Sequence, residues 1–257
     1  MKYWTIGHVV PTNVAVYIFL FTATFTIGIC SANDLVLHLS FDELKGDVAE
    51  DQSKFGNDAT FKGDPELVDG KFGKAIDFDG KTWAEISDHN SIDIVDGITI
   101  EMWANLRQAG AEQTGVEKGT TWKAGLYTLA PYYRNGSILQ FFDLPDNCDD
   151  ENIGGNIQDE TWHFIAGTWD GNTIKLYIDG ELNKELACKG TLTPNDDPLF
   201  IGARGGTQRF VNGALDEIKM YNYALTQEEL IKDMDNPTSD ILPQDKLTTT
   251  WARIKTR

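Results

Sequence analysis

Apolar and polar side chains alternate at a spacing of two residues along much of the chain. The runs LVLHLSF (35–41) and TIKLYID (173–179) place their large aliphatic residues on one face of an extended segment. ITIEMWANL (98–106), LFIGA (199–203) and ALDEIKMY (214–221) have the same period. This pattern predicts short β-strands, because a helix would repeat its apolar positions every three to four residues.

Asp-Gly and Asn-Gly pairs separate these runs, and such pairs supply the positive φ angles that tight hairpin turns require. The pairs are Asp69-Gly70, Asp79-Gly80, Asp96-Gly97, Asn135-Gly136, Asp170-Gly171, Asp179-Gly180 and Asn212-Gly213. Many short strands with frequent turns predict an all-β fold, a two-sheet antiparallel β-sandwich of the jelly-roll type. The aromatic residues of its strands are expected to fill the space between the sheets: Trp103, Trp162, Phe164 and Trp169.

One helix is predicted, near the C-terminal end of the folded region. The segment TQEELIKDM (226–234) begins with Thr226, which can cap the first turn, and Glu229 three residues later can complete a capping box.

The chain divides into three regions. Residues 14–30 are uncharged and mostly apolar, Lys2 is the one charged residue before Asp34, and small residues precede a cleavage position after Ala32. This pattern predicts an export signal over residues 1–32, although a run of this length could also remain as a membrane anchor. The folded domain is then residues 33–235. Residues 236–257 are predicted to form a flexible tail with a basic end.

Composition limits the classes of partner that the protein can bind and indicates its cellular compartment. The chain has 257 residues, of which 41% are hydrophobic, and a formal net charge of −18. This acidity argues against nucleic acid as a partner and favours a divalent cation or a solvated surface. Removal of the signal would leave Cys148 and Cys188, and an even pair in an exported protein predicts a disulfide. We therefore expect a secreted or cell-envelope protein.

Four groups of segments, taken in order, resemble the laminin G-like group of the concanavalin A-like lectin/glucanase superfamily. They are LHLSFDE (37–43) with DQSKFGNDATF (51–61), GKFGKAIDFDG (70–80), ETWHFIAGTWDGNTIKLYIDGEL (160–182) and NGALDEIKMYNYALTQEEL (212–230). The resemblance implies the same β-sandwich. It leaves function open, because this superfamily includes lectins, hydrolases and adhesion modules.

A calcium site is the most specific chemical prediction from the sequence. Strict alternation puts Asp216 on the same, core-facing side as Ile218, and a carboxylate there is costly unless a cation or several donors meet it. Asp42 ends the first strand, and Asn57 follows a glycine in a loop rich in oxygen atoms. Hard oxygen ligands suit calcium, and the resemblance implies a structural calcium where the first and last strands approach. The alternative is that Asp42 and Asp216 accept hydrogen bonds from loop amides or pair with lysine.

Ligand-binding residues are expected in residues 110–156, the least regular region of the pattern. Trp122, Tyr132, Tyr133 and Arg134 combine aromatic rings with hydrogen-bonding groups, as sugar binding requires. These residues could equally fill ordinary loop positions.

No catalytic residue is predicted. Glycosidases of this fold carry paired carboxylates on one strand face, whereas Trp103 and Asn105 stand two and four residues after Glu101. The sequence favours a non-catalytic exported module that recognises carbohydrate or a glycosylated surface. The alternatives are an adhesion or assembly protein that binds a protein partner through its tail, and an atypical polysaccharide-cleaving enzyme.

Overall fold

Two antiparallel sheets pack face to face in this protein. The structure is a computed structural model that describes residues 33–144, 148 and 153–238, so the predicted signal and nearly all of the predicted tail lie outside the described residues. In chain order the strands are β1 (Leu35–Leu39), β2 (Val48–Ala49), β3 (Ala59–Lys62), β4 (Glu66–Asp69), β5 (Lys74–Asp79), β6 (Trp83–Ile86), β7 (Ile98–Leu106), β8 (Val116–Lys118), β9 (Tyr127–Tyr133), β10 (Gly136–Phe141), β11 (Trp162–Trp169), β12 (Thr173–Ile178), β13 (Glu181–Ala187), β14 (Leu199–Ile201) and β15 (Asn212–Tyr221).

The strands form one eight-stranded and one seven-stranded sheet. The eight-stranded sheet has the order β13-β12-β11-β7-β15-β5-β4, and β1 also pairs with β15. The seven-stranded sheet has the order β10-β9-β8-β14-β6-β3-β2. Strands far apart in the chain are therefore neighbours in both sheets. The predicted antiparallel β-sandwich is confirmed.

The main core lies between the two sheets, where alternating residues of each strand meet. Leu39, Phe41 and Phe78 are buried there, and Phe141 contacts Trp169 with ring centroids 5.2 Å apart. The alternation seen in the sequence therefore identifies the inner face of most strands.

A second apolar cluster covers the opposite face of the eight-stranded sheet. It contains Trp103 and Phe164 with Trp162 packed against it, so the prediction that these three aromatics lie between the sheets is wrong, and only Trp169 lies there. The reason is that helix α1 (Gln227–Asp235) packs Leu230 onto this outer face and gives it an apolar cover. Both faces of the central strands are therefore buried.

Helix α1 begins as the sequence predicts. Thr226 accepts a hydrogen bond from the Glu229 backbone, and the Glu229 side chain accepts one from the Thr226 backbone, so both halves of the capping box are present. A 3₁₀ turn, Asn90–Ile92, precedes β7. Among the described residues, no helix has the length and apolar character needed to cross a membrane.

A β-bulge in β15 changes which way Asp216 faces. The register against β7 shifts between Asp216 and Lys219, and Glu217 adopts a φ of 48°. Leu215 and Ile218 both belong to the core between the sheets, although they are three residues apart. The prediction that Asp216 shares the face of Ile218 is therefore wrong, because the bulge inserts one residue between them.

The described part of the region 110–156 is more regular than its sequence suggests. It contains β8, β9 and β10, which make up one edge of the seven-stranded sheet. The extended pattern was hidden because both faces of these strands are buried, so polar residues do not mark an outer side.

Cys148 and Cys188 form a disulfide, as predicted. Their Cα atoms are 5.6 Å apart, and both residues are buried in the main core. Trp169 donates a hydrogen bond from Nε1 to the carbonyl of Cys188 at 2.8 Å, so one end of the disulfide is tied to a central strand.

Candidate functional site

The edge of β15 changes partner halfway along the strand. Its first half, Asn212–Leu215, pairs with β5, and its second half, Ile218–Tyr221, pairs with β1. Asp216 and Glu217 lie between these two halves, where neither strand supplies a ladder partner on that edge. The gap is filled by the turn of residues 70–74, which joins β4 to β5.

The Asp216 carboxylate points to this turn and is completely buried. Its Oδ2 accepts a hydrogen bond from the Phe72 backbone at 2.9 Å. Its Oδ1 has no hydrogen-bond partner among the described residues. Burial raises the pKa of Asp216 to about 7, and the Glu217 charge adds to the increase, while backbone donors oppose it.

Asp42 reaches the same turn from the end of β1. Its Oδ1 accepts a hydrogen bond from the Lys74 backbone at 3.0 Å. Gly73 has a φ of 50°, and a Cβ atom there would lie 1.8 Å from Asp42 Oδ1. Gly70 is also close-packed, because its Cβ would lie 2.6 Å from Asp216 Oδ2. The glycines of the GKFGK segment are therefore needed for the approach of two carboxylates, as well as for the turn itself.

Asn57 does not join these two residues. Its side-chain amide donates to the Val36 carbonyl at 2.7 Å and to Ser91 Oγ at 2.9 Å. Val36 lies at the opposite end of β1 from Asp42, and a five-residue strand spans about 16 Å. Of the three predicted calcium ligands, the structure brings together Asp42 and Asp216.

The orphaned Asp216 oxygen fits a hard cation, which would supply the missing contact. No group of three His, Cys, Asp or Glu side chains suited to a metal is found in the described part of the chain. A cation at Asp216 would therefore take backbone carbonyls or water as its remaining ligands, as calcium sites commonly do.

The outer face of the seven-stranded sheet carries two of the three predicted aromatic residues, Trp122 and Tyr133. Trp122 and Phe142 are each 37% exposed, and their rings meet edge to face at 5.5 Å. The guanidinium of Arg204 lies 5.3 Å from the centre of the Trp122 ring. These contacts hold an exposed aromatic pair beside a cation.

Tyr133 reaches the same face because of a bulge at the end of β9. The register against β10 shifts between the pairs Ala130–Ile138 and Tyr133–Gly136. Tyr133 therefore packs with Ala130 and Ile138, outside the main core. Its ring lies 5.2 Å from the Arg209 guanidinium and 5.0 Å from that of Arg134.

Tyr132 points the other way. It packs against the main core, and its hydroxyl donates to the Arg134 carbonyl at 2.8 Å. The structure thus places Trp122, Tyr133 and Arg134 on one sheet face and Tyr132 on the other side of β9.

A tight loop links the two ends of this face. Residues 204–209 connect β14 to β15, and the Arg204 backbone N–H donates to the Gln208 carbonyl at 2.8 Å. Gly205 and Gly206 have φ angles of 54° and 66°, and a Cβ at Gly206 would lie 2.7 Å from the Trp83 ring. The glycines let the loop lie against the sheet, so that arginine side chains stand at both of its ends.

Glu117 lies beneath the two arginines. It is completely buried in β8, and neither of its carboxylate oxygens has a hydrogen-bond partner among the described residues. Arg204 Nε is 3.4 Å from Glu117 Oε1, whereas Arg209 is held by Glu112 at 2.7 Å. Burial raises the pKa of Glu117 to about 7, although Arg204 and Arg209 both act to lower it.

These contacts define a surface that we call the arginine-aromatic face. It consists of Trp122, Tyr133, Phe142, Arg204 and Arg209, with Glu117 below it. Glu117, Arg204 and Arg209 were not predicted from the sequence. The one available signal was the segment RGGTQR (204–209), in which two arginines flank a paired-glycine turn.

A separate group of charged side chains is buried between the eight-stranded sheet and helix α1. Lys219 Nζ donates to Asp233 Oδ1 at 2.6 Å, and the Tyr221 hydroxyl donates to Asp233 Oδ2. Glu101 is the cross-strand neighbour of Lys219 and is 1% exposed. Two acids therefore share one lysine in a buried setting. Burial and the nearby Asp233 raise the pKa of Glu101 well above its usual value.

The fold is a two-sheet antiparallel β-sandwich with one short C-terminal helix. The family model of the concanavalin A-like lectin/glucanase superfamily matches residues 78–231, which is more than half of the chain. The protein belongs to this superfamily, and the predicted resemblance is confirmed.

A human relative and two solved structures are similar to this chain. Pappalysin-1 of Homo sapiens is 24% identical over an alignment of 185 residues, which covers 62% of this chain and 11% of the length of that relative. Domain 4 of AbnA, an extracellular GH43 arabinanase of Geobacillus stearothermophilus solved with arabinotriose, is 19% identical with a TM-score of 0.64. The alignment covers 78% of this chain and 98% of that domain.

The binding domain of Paraclostridial Mosquitocidal Protein 1 is 17% identical with a TM-score of 0.61. The alignment covers 77% of this chain and 51% of that one. At these identities the two structural similarities establish the fold.

Proposed function

We propose that this protein is an exported, non-catalytic recognition module that binds carbohydrate through the arginine-aromatic face. The observation that carries the proposal is the pair of Trp122 and Phe142, two large aromatic side chains exposed together on a sheet face. Folded domains bury most such rings more completely, so an adjacent pair that stays about one third exposed beside polar groups is typical of a binding surface.

The chemistry of this face suits a sugar ring. The C–H groups of a pyranose or furanose stack on an aromatic ring, and its hydroxyls take hydrogen bonds from fixed donors. Trp122 offers the ring, and Arg204 is held beside it at 5.3 Å and offers several N–H donors. The arabinotriose complex of the AbnA domain, which has the same fold, supports carbohydrate as the ligand class.

Export is supported by the disulfide between Cys148 and Cys188 and by the predicted signal in residues 1–32. Disulfides form and persist in oxidising compartments and are rare in the cytosol. The extracellular location of the similar arabinanase agrees with this proposal.

We also propose that calcium binds at the turn of residues 70–74. Asp216 Oδ1 is the central ligand, because it is buried and lacks a partner among the described residues. Asp42, which contacts the same turn, supplies a second carboxylate. Calcium accepts six to eight oxygen ligands, so carbonyls and water complete its shell. The ion would stabilise the junction of β1, β5 and β15 and would take no part in sugar chemistry.

A glycan array tests the proposed function. The wild-type chain is compared with Trp122→Ala, and Leu182→Ala serves as the matched control, because Leu182 is 45% exposed on edge strand β13 of the other sheet. We expect Trp122→Ala to weaken the binding of retained glycans by about tenfold or more, and Leu182→Ala to leave it unchanged. The array is run with calcium and again with EDTA.

Two results would favour other functions. If no glycan is retained in either buffer, carbohydrate is the wrong ligand, and pull-downs with the whole chain and with a chain that ends at Asp235 test a protein partner. Release of reducing ends from a polysaccharide panel would show that the protein is an enzyme.

A further inference from the structure

We propose that the arginine-aromatic face selects saccharides that carry carboxylate groups, and that Glu117 competes with the ligand carboxylate for Arg204. This inference rests on the proposed function, since it names the class of sugar that the same face binds. It also assigns a role to a buried acid that sugar stacking alone leaves unexplained.

The first step is the distribution of positive charge. The whole chain has a formal net charge of −18, yet Arg204 and Arg209 stand at the two ends of one short loop. Each guanidinium lies over an aromatic ring of the face, Trp122 or Tyr133. The side chains of Arg204 and Arg209 are 12% and 23% exposed, so part of each remains open to a ligand. A planar guanidinium edge matches a carboxylate.

The second step is the difference between the two arginines. Arg209 forms a short ion pair with Glu112 at 2.7 Å. Arg204 approaches Glu117 only through Nε at 3.4 Å, which exceeds the usual 2.7–2.9 Å of a charge-assisted hydrogen bond. Because this contact is long, Arg204 can donate to a ligand at small cost. Arg204 is therefore the anion-binding group, and Arg209 adds to the local positive potential.

The third step concerns what faces Glu117. On β9 its neighbour is Thr128, whose hydroxyl donates to the Val116 carbonyl at 2.9 Å and also acts to lower the pKa of Glu117. On β14 its neighbour is Phe200. Arg204 and Arg209 face it from the loop, with Glu112 behind Arg209. The charge that Glu117 can influence most directly is thus the guanidinium of Arg204.

The fourth step is the effect of a proton. An ionised Glu117 attracts the Arg204 guanidinium towards the sheet, and a neutral Glu117 does not. The pKa of Glu117 is about 7, so its charge changes near neutral pH, while a sugar carboxylate with a pKa of about 3 to 4 stays ionised. Binding of a carboxylated saccharide should therefore strengthen as the pH falls through about 7.

Titration calorimetry with an oligogalacturonide tests this inference. The matched ligand is the same oligosaccharide as its methyl ester, which keeps the ring and loses the charge. At constant ionic strength and about pH 6, we expect the wild-type chain to bind the acid form about tenfold more tightly than the ester. The preference for the acid form should decrease at about pH 8.

Three variants separate the parts of the inference. Arg204→Gln should lose the preference for the acid form, and Lys184→Gln, which removes an exposed charge on edge strand β13 of the other sheet, should keep it. Glu117→Gln should bind the acid form as tightly at about pH 8 as the wild type does at about pH 6. Thermal melts check that each variant is folded. If Glu117→Gln does not fold, Arg204→Gln serves as the test in its place. The binding of the acid form by Arg204→Gln should then be the same at about pH 6 and about pH 8.

The outcomes are distinct. Equal binding of the acid form and the ester by the wild type, or equally tight binding of a sulfated oligosaccharide, would overturn carboxylate selection. An unchanged pH dependence in Glu117→Gln would overturn the competition. If Trp122→Ala abolishes the binding of neutral glycans on the array while the acid form is not preferred, this inference fails and the proposed function stands.

Discussion

Asp42, which follows β1, and Asp216, in the middle of β15, hold the same turn. Asp42 Oδ1 accepts the backbone hydrogen of Lys74 at 3.0 Å, and Asp216 Oδ2 accepts that of Phe72 at 2.9 Å. One carboxylate is exposed and the other is buried. The two acids connect the first and last strands of the sandwich through the turn between β4 and β5.

We expect calcium to raise the melting temperature of protein that has been stripped with EDTA, and to raise it more at about pH 8 than at about pH 5. The pKa of Asp216 is raised to about 7 in the folded state. Without a cation, the folded state therefore keeps a proton that the unfolded chain releases, and stability falls as the pH rises from about 4 to about 7. Calcium binds the ionised carboxylate, so its benefit is greatest where that proton is absent. Differential scanning calorimetry measures the effect.

Asp216→Asn should remove the calcium response. The matched control is Asp69→Asn, since Asp69 also carries a carboxylate near this turn but is exposed and paired with Lys74. That variant should keep the response. Superimposable wild-type melts in EDTA and in excess calcium would show that the two acids only hold the turn through its amides.

Gly73→Ala should destabilise the protein more than Gly46→Ala. Both glycines have positive φ, 50° and 70°, so alanine costs about 1–2 kcal/mol of backbone strain at either position. A Cβ at Gly46 meets nothing within 4 Å, whereas a Cβ at Gly73 would lie 1.8 Å from Asp42 Oδ1. Asp42 would have to move and lose its bond to Lys74, which adds about 1 kcal/mol. Urea unfolding of the two variants gives the difference directly, and equal losses would show that the Asp42 contact is without consequence.

The sequence predicts where the strands and the helix lie better than it predicts which face of a strand each side chain occupies. Alternation finds most strands, and the pair Thr226 and Glu229 locates the start of α1, because both signals are local. The face of Asp216 could not be predicted in this way, since it depends on a bulge whose positive-φ residue, Glu217, is not a glycine. The energy that supports that conformation comes from neighbouring strands.

Only part of the arginine-aromatic face could be predicted, because the rest also depends on contacts between distant strands. Trp122 and Tyr133 can be chosen as aromatics in a turn-rich region, but Glu117 is a single acid in a short strand. Its position under Arg204 follows from the pairing of β14 with β8, two strands that lie about 80 residues apart in the chain. No local pattern encodes that pairing.

Loss of the disulfide should lower stability substantially. Cys148 and Cys188 are separated by 40 residues, and a crosslink that closes a loop of this length is worth about 4 kcal/mol through the entropy of the unfolded chain. Cys188→Ser should therefore move the urea midpoint strongly downwards. A reducing agent should bring the wild type to the same midpoint and leave the variant unchanged. Equal midpoints for the variant and the oxidised wild type would contradict this prediction.

Glu101→Gln should stabilise the protein at about pH 8 and have little effect at about pH 5. Burial and Asp233 raise the pKa of Glu101, so the folded state retains a proton that the unfolded chain loses above about 4.5. The wild type therefore loses stability as the pH rises above that value, whereas glutamine keeps a similar shape without a charge. We expect a gain of about 1 kcal/mol or more at about pH 8, measured by chemical unfolding.

Two further variants decide whether that gain comes from the buried group. Glu185→Gln removes an exposed acid from edge strand β13 of the same sheet and should show no such pH dependence. Asp233→Asn leaves Lys219 buried without its carboxylate, and should cost about 3 kcal/mol or more. If Glu101→Gln gave the same gain at both pH values, the effect would be one of packing and Glu101 would already be ionised in the folded protein. If Asp233→Asn left the free energy of unfolding unchanged, the Lys219 charge would be stabilised by solvent or by Glu101 instead. The charged cluster would then not hold helix α1 to the sheet.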